Sequence, residues 1–75
     1  MSKTLRRRFV RGKAFLRLPG VIAKTGLPAA SIYELMAAGK FPKQVPLSEN
    51  RVAWVDEEID AWQDERIAAR DQTAA

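Results

Sequence analysis

The chain has 75 residues, a formal net charge of +4, and neither cysteine nor histidine. So short a chain holds one domain with a core near the lower size limit; disulfide staples, thiolate metal sites and imidazole acid–base chemistry are excluded by composition. Apolar residues are dispersed and "MSKTLRRRFV" has no apolar block after its basic residues, so neither a membrane span nor a secretory signal is expected.

Charge is unevenly placed. Residues 1–17 carry Lys3, Arg6, Arg7, Arg8, Arg11, Lys13 and Arg17 and no acid, whereas residues 18–75 hold six cations against nine acids. A basic arm on a mildly acidic body points to a polyanion, nucleic acid ahead of a membrane surface. A solvated tail that aids solubility is the alternative for the arm taken alone. The absence of cysteine agrees with a cytoplasmic location. The arm, residues 1–14, is expected to be flexible: its charges repel one another, and only Phe9 and Val10 could anchor it.

After the arm, "FLRL" alternates, with Leu16 and Leu18 on one side, and reads as a short strand leading into the fold. Pro19 suits a first helical turn, where its missing N–H is not needed, and Gly26 suits a helix end; the first helix is predicted over Pro19 to Thr25. After a very short turn Pro28 opens a second helix, Ala29 to Ala38, with Ile32, Leu35 and Met36 as its inward stripe and Gly39 closing it. Two short helices joined so tightly form a helix-turn-helix.

In "KFPKQVPLSENRVAW", Val45 and Leu47 alternate with Gln44 and Pro46, and Val52 and Trp54 alternate with Arg51 and Ala53. A hairpin is expected, joined by the polar four-residue "SENR" and with Pro46 confining its strand to an edge. The last helix starts with Asp56 as N-cap and Glu57 and Glu58 in the first turn, where the helix dipole favours acids; Arg66 and Arg70 lie near its other end. Ile59, Trp62 and the stem of Arg66 are expected to pack inward, and "DQTAA" to fray.

Catalysis is not expected. Most carboxylates lie on exposed faces of one helix, and the four glycines are far apart and explained by turns, with no phosphate-cradling loop. Phe41, Trp54 and Trp62 read as packing residues in so small a core. Tyr33 lies on the flank of the second helix, and two readings stay open: contact with a base or phosphate, or a cover over the wing.

With Ile32 and Met36 inward, the opposite face of the second helix shows Ala30, Ser31, Tyr33, Glu34 and Ala37. The alanines permit close approach to a groove floor and pack on thymine methyls; Ser31 donates or accepts, and Glu34 accepts from cytosine N4. Such a face reads bases but does not pull on phosphates. Affinity is then expected from Lys40 and Lys43 just beyond the helix, from Arg51 at the wing, and from Arg6, Arg7, Arg8 and Arg11 in the arm, since phosphate contacts position a protein and base contacts specify.

The run from Phe15 to Arg70, and within it "TGL…SIYELMAAGKFPKQV", "AW" closing the wing and "EIDAW" in the last helix, resembles the AlpA family of small phage and prophage regulators. These are close relatives of excisionase and MerR-type winged helix-turn-helix domains. The resemblance implies a DNA-binding module of bacterial transcription or prophage excision, its second helix in the major groove and its wing near the minor groove or backbone. By position, Ala29, Ala30, Ser31, Tyr33 and Glu34 fall on the reading face, and Lys40, Lys43 and Arg51 at the wing contacts. Relatives commonly carry Arg or Lys where this chain has Ala29, Ala30 or Glu34, which gives the basic arm more of the work along the backbone or an adjacent minor groove.

The expected fold is α+β and mainly helical: a small winged helix-turn-helix over residues 15–70, with a two-stranded wing and a C-terminal helix, followed by a disordered tail over residues 71–75. The expected function is sequence-specific binding of double-stranded DNA as a transcriptional regulator of prophage or mobile-element genes. An excisionase that bends attachment-site DNA is the first alternative, and a protein-interaction adaptor using the acidic last helix the second. Expected partners besides DNA are a further copy on an adjacent site, an integrase or RNA polymerase. No cofactor, metal, membrane or small-molecule ligand is expected.

Overall fold

A computed structural model describes residues 14–74, with side chains to residue 73. The arm cations Arg6, Arg7, Arg8 and Arg11 lie outside the described residues. The elements follow as β1 (Phe15–Leu16), α1 (Leu18–Thr25), α2 (Ala29–Ala37), β2 (Val45–Ser48), β3 (Arg51–Val55) and α3 (Asp56–Ala74).

Helix ends follow local chemistry. Pro19 stands at the first turn of α1, and Gly26 ends the helix at φ 77°, in the left-handed region that a side chain disfavours. The Thr25 hydroxyl donates to the Val21 carbonyl at 2.7 Å and accepts the Leu27 N–H at 3.2 Å, which fixes the turn between the helices. Gly39, at φ 74°, closes α2: its N–H goes to the Met36 carbonyl at 3.0 Å and the Lys40 N–H to the Leu35 carbonyl at 2.8 Å. This double bond pattern is a Schellman cap, and it sets the backbone of Lys40 directly against the end of α2.

The sheet has three strands in the order β1-β3-β2: the expected two-stranded wing, extended by a strand on its other side. The "FLRL" strand is its third member, pairing antiparallel with β3 through Phe15↔Val55 and Leu16↔Trp54. The wing pairs Val45↔Ala53, Pro46↔Val52 and Ser48↔Arg51. Pro46 sits on an edge strand as expected, since it has no N–H for a ladder. The connection is narrower than "SENR": Ser48 and Arg51 pair, and only Glu49 and Asn50 turn. The register shift between Pro46 and Ser48 makes Leu47 an extra residue, so the alternation breaks there and Leu47 is 44% exposed instead of turning inward. Ala53, placed by alternation on the outer side with Arg51, is fully buried, because β3 is the central strand and also packs against α1 and α3.

The core cluster joins all three helices, the loop and the central strand: Val21 from α1, Ile32 from α2, Phe41 from the loop, Trp54 from β3 and Ile59 from α3. Leu35, Met36 and Trp62 pack against that cluster, and the edge of Phe41 meets Trp62 at 4.9 Å and 64°. At about 25 cal/mol per Å² of apolar surface, burying side chains of this size contributes about 1.5–3 kcal/mol each, so five anchors supply much of what a domain this small has.

α3 departs from expectation at both ends. Asp56 is its first helical residue, not a cap preceding it: its N–H donates to the Ala14 carbonyl at 2.9 Å and its carboxylate pairs with Lys24. At the far end, residues read as a fraying tail continue the helix to Ala74. No glycine or proline stops it, "AARDQTA" is rich in helix formers, and the Thr73 hydroxyl donates to the Ala69 carbonyl at 2.8 Å. Arg66 is exposed, so its stem does not join the core.

Candidate nucleic-acid interface

Burial of Ile32 decides which side of α2 faces outward. Ala30, Tyr33, Glu34 and Ala37 are exposed, and Ala29 and Ser31 are half-buried at the start of the helix. Glu34 is the one charged residue on α2, and it forms no ion pair among the described residues. Tyr33 lies 6.4 Å from Trp54, ring centre to ring centre, tilted by 59°, and remains 43% exposed. It therefore meets a side chain of the second wing strand and still keeps much of its surface open to solvent.

The cations divide into committed and free. Lys24, at the end of α1, pairs with both Asp56 and Asp60 on α3. Its hydrogen bonds to Asp56 and then Asp60 raise its pKa above the ordinary 10.5, with charge attraction adding to this and desolvation opposing it. Arg70 pairs with the neighbouring Asp71. Lys40, Lys43 and Arg51 are exposed and form no ion pair among the described residues. All three follow α2 in the chain: two stand between α2 and β2, and one opens the second wing strand.

α3 holds this arrangement from behind. Gln63 donates from Nε2 to the Lys24 carbonyl at 2.8 Å, and Trp62 donates from Nε1 to the Lys40 carbonyl at 2.9 Å. These contacts, and the Lys24 pair, were not foreseen from sequence. The i, i+4 spacing of Asp56 and Asp60 does place two carboxylates on one helical face, but nothing in the sequence brings Lys24 to them. Seven acids lie along α3; the two that meet Lys24 are a half-buried Asp56 and an exposed Asp60, and the other five are exposed.

A tight helix-turn-helix, backed by a sheet whose hairpin is reached from the second helix through Tyr33 and Trp54, defines a small winged helix-turn-helix module. Family comparison agrees. A model described as prophage CP4-57 regulatory protein (AlpA) matches residues 14–67, and the chain belongs to that family. An "uncharacterized protein ORF88" of Enterobacteria phage P4 is 48% identical over 56 residues, covering 75% of this chain and 64% of that protein, so the match spans less than two thirds of the phage relative. The "DNA-binding transcriptional activator AlpA" of Escherichia coli (strain K12) is 40% identical over 57 residues, with 68% of this chain and 81% of the relative covered.

Proposed function

We propose that the chain binds double-stranded DNA in a sequence-dependent way and regulates transcription of prophage or mobile-element genes. The observation that carries this reading is the division of the surface. α2 exposes a face of small and polar groups with one acid, while Lys40, Lys43 and Arg51, in the loop after it and at the wing, are exposed with no ion-pair partner among the described residues. In the proposed complex Ala29, Ala30, Ser31, Tyr33 and Glu34 meet base edges in the major groove. The three cations, joined by Arg6, Arg7, Arg8 and Arg11, meet phosphates. The name of the Escherichia coli relative, a transcriptional activator, supports regulation over excision.

The reading is tested by selecting bound fragments from a host genome and footprinting the enriched sites. Protection of major-groove positions at one site beside a promoter supports it. Several phased sites beside an attachment site would move the function to excision, and no enrichment over random DNA would remove sequence-dependent recognition altogether.

A further inference from the structure

Lys40 and Lys43 stand on the stretch between α2 and β2, which has no regular structure of its own. One side of that stretch opens onto a hollow of about 880 Å³ whose far wall is Glu58, Ala61, Trp62, Glu65 and Arg66 of α3. On this side the loop is packed to the core only through Phe41, which is buried. The Schellman cap fixes it at its start, and Trp62 fixes it across the hollow: the indole N–H reaches the Lys40 carbonyl at 2.9 Å, and the ring meets Phe41 edge-on at 4.9 Å.

An indole is more than the core requires at this position. A phenyl ring would keep an aromatic contact with Phe41, yet it would leave the Lys40 carbonyl without its donor. Nor does every indole in this fold find a partner: Trp54 is fully buried and its Nε1 has none among the described residues. The bonded indole is the one that touches the backbone of a free cation. On the DNA-binding reading above, we propose that Trp62 is a positioning residue for DNA contact. It locks the backbone of Lys40, so that the ammonium groups of Lys40 and Lys43 meet phosphates at a fixed offset from the outer face of α2. The benefit is preorganisation: a loop already ordered in the free protein loses less freedom on binding.

The test is a double-mutant cycle on the full chain, using the strongest duplex from genomic selection and a random duplex of equal length. Trp62→Phe is expected to weaken the selected duplex about three- to tenfold, the range of one net hydrogen bond, and the random duplex less. Lys40→Ala should cost the original chain about fivefold and make the salt slope shallower by about one; in the Trp62→Phe background it should cost less than about twofold. A purely structural role for Trp62 would lower Tm and leave the Lys40→Ala penalty and slope unchanged, and that result overturns the proposal. Should Trp62→Phe fail to fold, β-(3-benzothienyl)alanine at position 62 keeps the bicyclic shape without the N–H and carries the same expectations. Binding by the unaltered chain, weakened by Lys40→Ala, supports the DNA reading on its own. Those two results with no coupling to position 62 defeat only the positioning role, whereas an unaltered chain that binds no duplex defeats both.

Discussion

Glu34 gives the sharpest test of which surface meets DNA, because it is an exposed acid on the outward face of α2 with no ion pair among the described residues. With α2 in a major groove, its carboxylate stands near two phosphate rows. At about 8 Å, each carboxylate–phosphate repulsion is about 0.5 kcal/mol in water, and two of them come to about 1 kcal/mol. Glu34→Gln keeps the shape and an acceptor oxygen but removes the charge. It should therefore raise affinity for random duplex about fivefold at low salt, since 1.4 kcal/mol is tenfold. Near physiological salt, where the screening length is about 8 Å, the gain should shrink to about twofold. Glu34→Ala removes the acceptor as well, and on the selected duplex it should also relax preference at one base pair, by an amount on the order of 1 kcal/mol. The assay is fluorescence anisotropy on matched duplexes, selected and singly substituted. If both variants leave affinity and base preference unchanged while Arg51→Ala weakens binding, α2 does not face the duplex, and the division of the surface is wrong.

Arg51→Ala should weaken all duplexes alike, about three- to fivefold, with the salt slope shallower by about one, because the guanidinium is assigned to phosphate. Gly39→Ala should lower stability by about 1 kcal/mol in thermal or denaturant melts: φ is 74° there and nothing lies within 4 Å of an added Cβ, so the cost is backbone strain alone. Lys24→Met should lower Tm at neutral pH without changing the salt slope of DNA binding. Because the folded-state pKa of Lys24 is raised above its ordinary 10.5, the stability from its ion pairs is fully present below that pH and is lost as pH rises through the folded value. The Tm difference between the two proteins should therefore be constant at neutral pH and close only in strong alkali.

Features governed by local backbone chemistry were legible in the sequence. Gly26 and Gly39 both take the left-handed conformation at helix ends, Pro19 sits in a first turn and Pro46 on an edge strand. The Ile32, Leu35 and Met36 stripe was legible because helical periodicity fixes which residues share a face. Features that depend on distant partners were not. Nothing in "FLRL" tells that Phe15 pairs with Val55 across the whole domain, or that this makes β3 central and buries Ala53. The bulge at Leu47 defeats a period-two reading, and the absence of a stop signal after Arg70 carries more weight than the expectation that termini fray. At the interface, residue types marked the free cations, but only the fold separates Lys40, Lys43 and Arg51 from Lys24, which α3 takes up. The arm's cations fall outside the described residues, so their part is carried by charge alone.

The most direct measurement is the affinity of the full chain for a labelled duplex over a series of salt concentrations, repeated after removal of residues 1–13. With about six phosphates contacted, log affinity should fall against log salt with a slope near −5, and the shortened chain should give a weaker complex with a shallower slope. An unchanged slope would take the arm out of the mechanism. No association with any duplex at low ionic strength would contradict the claim that a nearly uncharged reading helix is held to DNA by the free cations around it.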